Sequence, residues 1–272
     1  MDRKILIITG MHRSGTSLIS QYLNKCGIDI GKELINLDSI SSDSAFNGHH
    51  EDKDFLDFHE SLLQKSWKIP FKKANYAFPT NEFALPLFIG QKEQLEAERI
   101  IQKRAKLEQW GWKDPRTSLF LDFWQQRLKD STYLLLFRHP LTVVDSVVRR
   151  GTDKTVIAKP EIALKTWILF NKKILSFQEK HQDRCIVFNI QDIIESPSSL
   201  CQALQQKFDF NLTAIDFTTV YKQKSLKQES TDLAKLYSFD TKHKNLLSKS
   251  MEIYDKLQKV SDRFIHEFEQ KT

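Results

Sequence analysis

The chain has 272 residues, 40% of them hydrophobic and 28% charged, and its 41 Lys and Arg outnumber 35 Asp and Glu to give a formal net charge of +6. That composition supports one substantial packed domain and excludes global disorder, while the modest basic excess suits an anionic ligand. The absence of a dense Lys/Arg block interleaved with aromatics argues against nucleic acid, no run nears the roughly 18 apolar residues of a membrane span, and three cysteines without CxxC or Cys/His spacing argue against a metal centre or disulfide framework.

In chain order, Lys4 to Thr9 is a short, β-rich run apolar on both faces, which predicts a central parallel strand. It enters a Gly-rich turn and is too short to read as a signal peptide; with the sparse cysteines Cys26, Cys185 and Cys201, a cytoplasmic setting is expected. After Gly10 to Gly15, Leu18, Ile19, Tyr22 and Leu23 fall at helical spacing and Gly27 stops the helix. Residues 36–90 depart from alternation: a polar Ser/Asp stretch, a helix near 52–65, then a basic-aromatic segment from Lys68 to Ile89. A short strand is expected at Gly111–Lys113, with further strands at Thr132–Phe137 and Cys185–Asn189. Helical patterns cover 117–129, 141–150, 161–181 and 198–208, and one long amphipathic helix is predicted over 240–269 through Leu247, Met251, Tyr254, Leu257, Phe264 and Phe268. Strands alternating with helices imply right-handed crossovers and a three-layer α/β/α fold on a parallel sheet. One domain over 1–272 is the expectation.

Gly10-Met11-His12-Arg13-Ser14-Gly15-Thr16-Ser17 lies between the first strand and the first helix, with the glycine spacing of a phosphate-binding loop. Glycines let the backbone curl so that successive N–H groups face anionic oxygens, and the helix N-terminus adds partial positive charge. An ATP or GTP loop carries Lys directly after the second Gly; here that position is Thr16 and the cation is displaced to Arg13. A second anchor follows the strand ending at Phe137: Arg138 at the strand end and Ser146 in the next helix, both at the carboxyl edge where ligands of α/β sheets bind. Arg138 suits a bidentate grip on a phosphate, with the Ser146 hydroxyl closing from the side.

Arg13-Ser14-Gly15-Thr16-Ser17 resembles the 5′-phosphosulfate loop of sulfotransferases that use 3′-phosphoadenosine 5′-phosphosulfate (PAPS), and the string from Gly10 looks like their bacterial branch. Arg138 and Ser146 resemble the family's 3′-phosphate site, and Asn189 to Leu204, with Asp192 and Pro197, its strand–loop–helix segment. The resemblance implies a P-loop-like fold, PAPS as co-substrate on His12, Arg13, Ser14, Gly15, Thr16, Ser17, Arg138 and Ser146, and no metal. It implies sulfuryl transfer to an acceptor hydroxyl or amine on a small molecule or glycan. Several branches use a Glu after the first helix as base, which selects Glu51, with His49 and His50 as rivals; the family often places a Lys where Lys113 ends its strand, beside the sulfuryl group, with Arg116 assisting and Asp114 orienting. The Arg-Lys-Gly nucleotide clamp of animal members is absent, which leaves Arg149 or Arg150 as helpers. Trp112 and Trp167 offer stacking faces for adenine, but their spacing favours core positions. Residues 36–90 are the expected acceptor-facing surface, suited to a carbohydrate, a phenol or a lipid headgroup. Two other classes compete: a P-loop kinase or NTPase, against which the missing Lys counts, and a non-catalytic module that binds adenosine 3′,5′-bisphosphate.

Overall fold

The computed structural model describes residues 3–31, 34, 50–67, 78, 89–150, 154–221 and 241–262. Four strands, β1 (Lys4–Thr9), β2 (Gln109–Lys113), β3 (Thr132–Phe137) and β4 (Cys185–Asn189), form one all-parallel sheet in the order β2-β1-β3-β4. Ten helices surround it among the described residues: α1 (Thr16–Lys25), α2 (Lys53–Trp67), α3 (Gln91–Gln102), α4 (Leu121–Arg127), α5 (Pro140–Arg150), α6 (Lys154–Ala158), α7 (Glu161–Lys180), α8 (Ile190–Glu195), α9 (Pro197–Phe208) and α10 (Thr241–Val260). The α/β expectation holds.

Strand side chains alternate between two buried clusters, as the two-residue period requires. Ile7, Tyr133, Leu135, Phe137 and Val187 face one side, packed with residues of α2, α4, α5, α7 and α10, whereas Leu6, Ile8, Leu134, Leu136, Ile186 and Phe188 face the other, under α1, α8 and α9. Burial on both faces explains why these strands read as continuous apolar runs. In this strand order the chain leaves β1 and β3 toward opposite sides of the sheet. The switch point therefore falls between their carboxyl ends, the place where open α/β sheets bind ligands.

Three differences from expectation bear most on the architecture. The sequence pattern over 117–129 resolves into a 3-10 turn, Pro115–Leu119, followed by α4. Pro115 opens the turn, the Asp114 side chain accepts from the Arg116 N–H, and Phe120 at φ −124° interrupts the helical path. The C-terminal helix stops at Val260 instead of 269, because Ser261 and Asp262 turn onto the β4 edge. The Asp262 N–H donates to Val187 O at 2.8 Å, and its Oδ2 accepts from the Val187 N–H at 2.8 Å. Phe264 and Phe268 lie outside the described residues, as do residues 35–49 and, apart from Phe78 and Ile89, the segment from Lys68 to Ile89. The third difference is α3, which no apolar stripe announced: only Ala97 and Ile100 are buried there, and Leu95 is 48% exposed. No described helix is long and apolar enough to cross a membrane.

Candidate active site

The loop after β1 is held by two close approaches. A Cβ on Gly10 would sit 2.1 Å from Leu136 O, and one on Gly15 2.4 Å from Cγ1 of Ile190, so β3 and α8 press on the loop from either side. Gly15 takes the left-handed conformation (φ 86°) as the residue preceding α1 and makes no side-chain cap. The first-turn N–H groups of α1 are thus left for other acceptors, which is the arrangement that binds anions. Arg13 is also left-handed (φ 69°), and the Ser14 N–H closes onto Met11 O at 3.1 Å. Ser14 is fully buried and its Oγ has no hydrogen-bond partner, a deficit that an incoming oxygen would fill.

Arg138 follows β3 directly. Its carbonyl accepts from Trp167 Nε1 at 3.0 Å, and its Nη1 donates to Arg13 O at 3.3 Å. Arg13 in turn donates from Nε to Ser146 Oγ at 2.9 Å, so the two anion anchors singled out in the sequence are in direct contact. Burial pushes the Arg138 guanidinium down to about 10, with the charge of Arg149 adding to the effect. Arg149 itself is paired to Asp145 at 2.6 Å.

On the other side of the loop, Lys113 ends β2 fully buried. Its Nζ donates to Ser17 Oγ at 3.0 Å and to Glu51 Oε1 at 2.6 Å. Burial raises the Glu51 carboxyl, opposed by the Lys113 charge, and lowers the Lys113 ammonium, opposed by the Glu51 charge. Behind this pair stands a second buried cluster. Asp114 accepts from His59 Nδ1 at 2.8 Å, from the Arg116 N–H at 2.9 Å and from Arg116 Nη1 at 3.1 Å; Arg116 also reaches Glu60 at 2.9 Å. Burial alone would raise the Asp114 carboxyl, but the Arg116 charge and the His59 hydrogen bond outweigh it and hold it well below the usual carboxylate range.

A scan against protein-family models finds no match, and neither does a search of curated proteins. Solved structures do match. The sulfotransferase domain of the Synechococcus PCC 7002 olefin synthase aligns at 12% identity over 95% of this chain and 96% of its own, with a TM-score of 0.51. Sulfotransferase STF1 of Mycobacterium tuberculosis H37Rv aligns at 13% identity over 91% of this chain and 77% of its own, with a TM-score of 0.54. Sulfotransferase STF9 of Mycobacterium avium aligns at 12% identity over 96% and 77%, with a TM-score of 0.53.

The chain has the sulfotransferase fold.

Within this fold Arg13, Ser14, Gly15, Thr16, Ser17, Arg138, Ser146, Lys113 and Glu51 all meet beside the carboxyl ends of β1, β2 and β3. His12 points its ring toward Phe78 and Phe170, with centroids 5.9 and 6.2 Å away. His50 is half-buried beside Glu51 with φ 50°, and His49 lies outside the described residues. Trp112 and Trp167 are core residues at 0% exposure; Trp112 stacks on Phe55 at 3.9 Å. Sequence reasoning missed His59, Glu60 and Trp124. His59 lies 55 residues from Asp114, and its one local signal was its place in the helical pattern near 52–65. Among the described residues no group of three or more His, Cys, Asp or Glu stands ready to hold a metal ion.

Proposed function

We propose that the chain is a sulfotransferase that moves a sulfuryl group from PAPS to an acceptor hydroxyl or amine. The observation that carries this reading is Lys113, whose ammonium spans the phosphate loop at Ser17 and the Glu51 carboxylate. That contact puts a cation and a base side by side against the loop. The residues fit the donor: the α1 N-terminus and the partnerless Ser14 hydroxyl suit the 5′-phosphosulfate, and the adjoining Arg138 and Ser146 suit the 3′-phosphate of the same nucleotide.

In the reaction, an acceptor oxygen or nitrogen forms a bond to sulfur as the bond from sulfur to the 5′-phosphate oxygen breaks, leaving adenosine 3′,5′-bisphosphate. Glu51 takes the proton from the acceptor; its raised proton affinity suits a base at neutral pH. Lys113, Arg13 and the loop amides neutralise the charge that develops on the leaving oxygen. Phe78, packed against the His12 ring, supports an acceptor-facing role for that residue.

A screen of hydroxyl and amine acceptors with labelled PAPS tests the reading. Adenosine 3′,5′-bisphosphate should raise the Tm, and ATP with Mg²⁺ should not. Glu51→Gln should lower turnover by about 10²- to 10⁴-fold while bisphosphate affinity stays within about twofold. Stabilisation by ATP–Mg²⁺ instead would favour the phosphoryl-transfer class. Bisphosphate binding without transfer to any acceptor would favour the non-catalytic module.

A further inference from the structure

We infer that His59 is a positioning residue that sets the Glu51–Lys113 pair by pinning Asp114, an inference that rests on the sulfotransferase reading for its catalytic consequence. Two segments face each other across the site: Glu51 with α2, and Lys113 to Arg116. Three contacts join them in register, Glu51 to Lys113 at 2.6 Å, His59 to Asp114 at 2.8 Å and Glu60 to Arg116 at 2.9 Å. Glu51 stands two residues before α2, and His59 follows about two helical turns later. The α-helix holds Lys53 to His59 rigidly, and Asp52, whose carbonyl accepts from the Leu56 N–H at 3.0 Å, joins Glu51 directly to its first turn, so a pin at His59 constrains where Glu51 stands.

The pin is fully specified. His59 is 0% exposed and its ring lies parallel to Phe120, with centroids 5.0 Å apart. Trp124 Nε1 donates to His59 Nε2 at 2.8 Å, and an indole nitrogen only donates. His59 Nε2 therefore accepts, and Nδ1 carries the proton given to Asp114 Oδ2. The opposite oxygen of Asp114 is taken by Arg116, and the Asp114 carbonyl accepts from Thr9 Oγ1 at 2.9 Å, tying the same residue to the end of β1. Asp114 follows Lys113 without a break, so holding Asp114 from three directions leaves the Lys113 backbone no latitude. Phe58, Phe120 and Trp124 surround the position, and an apolar residue there would leave the buried Trp124 Nε1–H and Asp114 Oδ2 without these partners. What a histidine adds is direction: packing tolerates small sliding of a helix, whereas two aimed hydrogen bonds do not.

The test uses the full chain and reads Lys113 directly. An ammonium buried against a carboxylate exchanges its protons slowly and gives an observable ¹H–¹⁵N signal, assigned through Lys113→Met. His59→Asn is expected to speed that exchange at least roughly tenfold. It should lower kcat by about 10- to 100-fold, the scale of a misplaced catalytic group, with the Kd for adenosine 3′,5′-bisphosphate within about twofold. Combined with Glu51→Gln, it should lower kcat no further than Glu51→Gln does alone, because both act through one carboxylate. Glu60→Gln, a milder cut at the neighbouring contact, should move exchange and kcat in the same direction, which keeps the test open if His59→Asn folds poorly. Leu204→Ala, in the buried cluster on the opposite face of the sheet, is the control for lost stability alone and should leave the Lys113 signal in place. An unchanged Lys113 signal in both His59→Asn and Glu60→Gln overturns the inference, and so does an equal loss of that signal in Leu204→Ala. Faster exchange in a wild-type background that transfers no sulfuryl group would uphold the pin and sink the sulfotransferase reading instead.

Discussion

Lys113 and Glu51 are each nearly sealed from water, and the balance between their attraction and their desolvation decides what a mutation there does. Opposite charges about 4 Å apart attract by about 4 kcal/mol at an effective dielectric of 20, and desolvation costs several kcal/mol per ion, so the pair is close to neutral for stability. Cutting one member is different, since it strands a buried charge. Lys113→Met alone should destabilise the fold by about 3–5 kcal/mol in urea unfolding, and the double variant Glu51→Gln/Lys113→Met should recover much of that loss. If the double variant is as unstable as the sum of the singles, the contact is not a coupled pair. Arg138 poses the opposite problem: burial and Arg149 depress it, yet at about 10 it stays cationic at neutral pH and is ready for an anion. Arg138→Ala should therefore cost about 1.5–3 kcal/mol of adenosine 3′,5′-bisphosphate binding by calorimetry, the worth of a hydrogen bond to a charged group. Unchanged affinity would remove Arg138 from the nucleotide site.

Elements decide which of these residues the sequence could announce. The strands and the helices α1, α5, α7 and α9 were legible because a parallel strand buried on both faces is an unbroken apolar run, and a helix on such a sheet carries a stripe at i, i+3 and i+4. The loop from Gly10 to Ser17 was legible for a related reason: strand, turn and helix are contiguous, so the strand–turn–helix geometry is written in one string. Partners far apart in the chain left no such trace. The apolar stripe of α10 runs on to Phe264 and Phe268, so periodicity alone extends the helix; what ends it is Asp262 meeting a strand 75 residues earlier. That contact has a job, because β4 is an edge strand and its Val187 N–H and C=O would otherwise face outward. Asp262→Ala leaves the half-buried Val187 N–H without its acceptor and should cost about 1–3 kcal/mol in urea unfolding. Amide exchange should report the same event locally, faster at Val187 and unchanged at Leu135. Equal acceleration at both amides would mean that Asp262 supports the fold generally and not the β4 edge.

Across the whole molecule the charges are unevenly buried. The face under α1, α8 and α9 is an apolar cluster, whereas the region between β2, α2 and α3 encloses Glu51, Asp52, His59, Arg104, Lys113, Asp114 and Arg116. Acid unfolding must therefore act through the second region, and its carboxylates pull in two directions. Burial holds Glu51, Asp52 and Glu60 above the ordinary range, with their cationic neighbours opposing it. Such groups stabilise the folded state fully below their unfolded values and lose that contribution as pH rises through their folded ones. Asp114 is the reverse case, its carboxyl held below the ordinary range once the Arg116 charge and the His59 bond overcome burial. Its contribution is present above the unfolded value of about 3.9 and is lost as pH falls from there toward its folded value. Asp114→Asn removes this carboxylate charge and leaves Arg116 with Glu60 as its remaining direct ion pair in the cluster. At pH 7 the variant should be about 3–5 kcal/mol less stable, the cost of breaking a buried pair. The gap should hold down to about pH 5 and then narrow steadily below pH 4 as wild-type Asp114 gives up its advantage. Urea midpoints measured from pH 3 to pH 7 on both proteins check this. A gap that stays constant to the acid end would mean that Asp114 stabilises by shape and not by charge, and that Arg116 and His59 do not hold its carboxylate ionised.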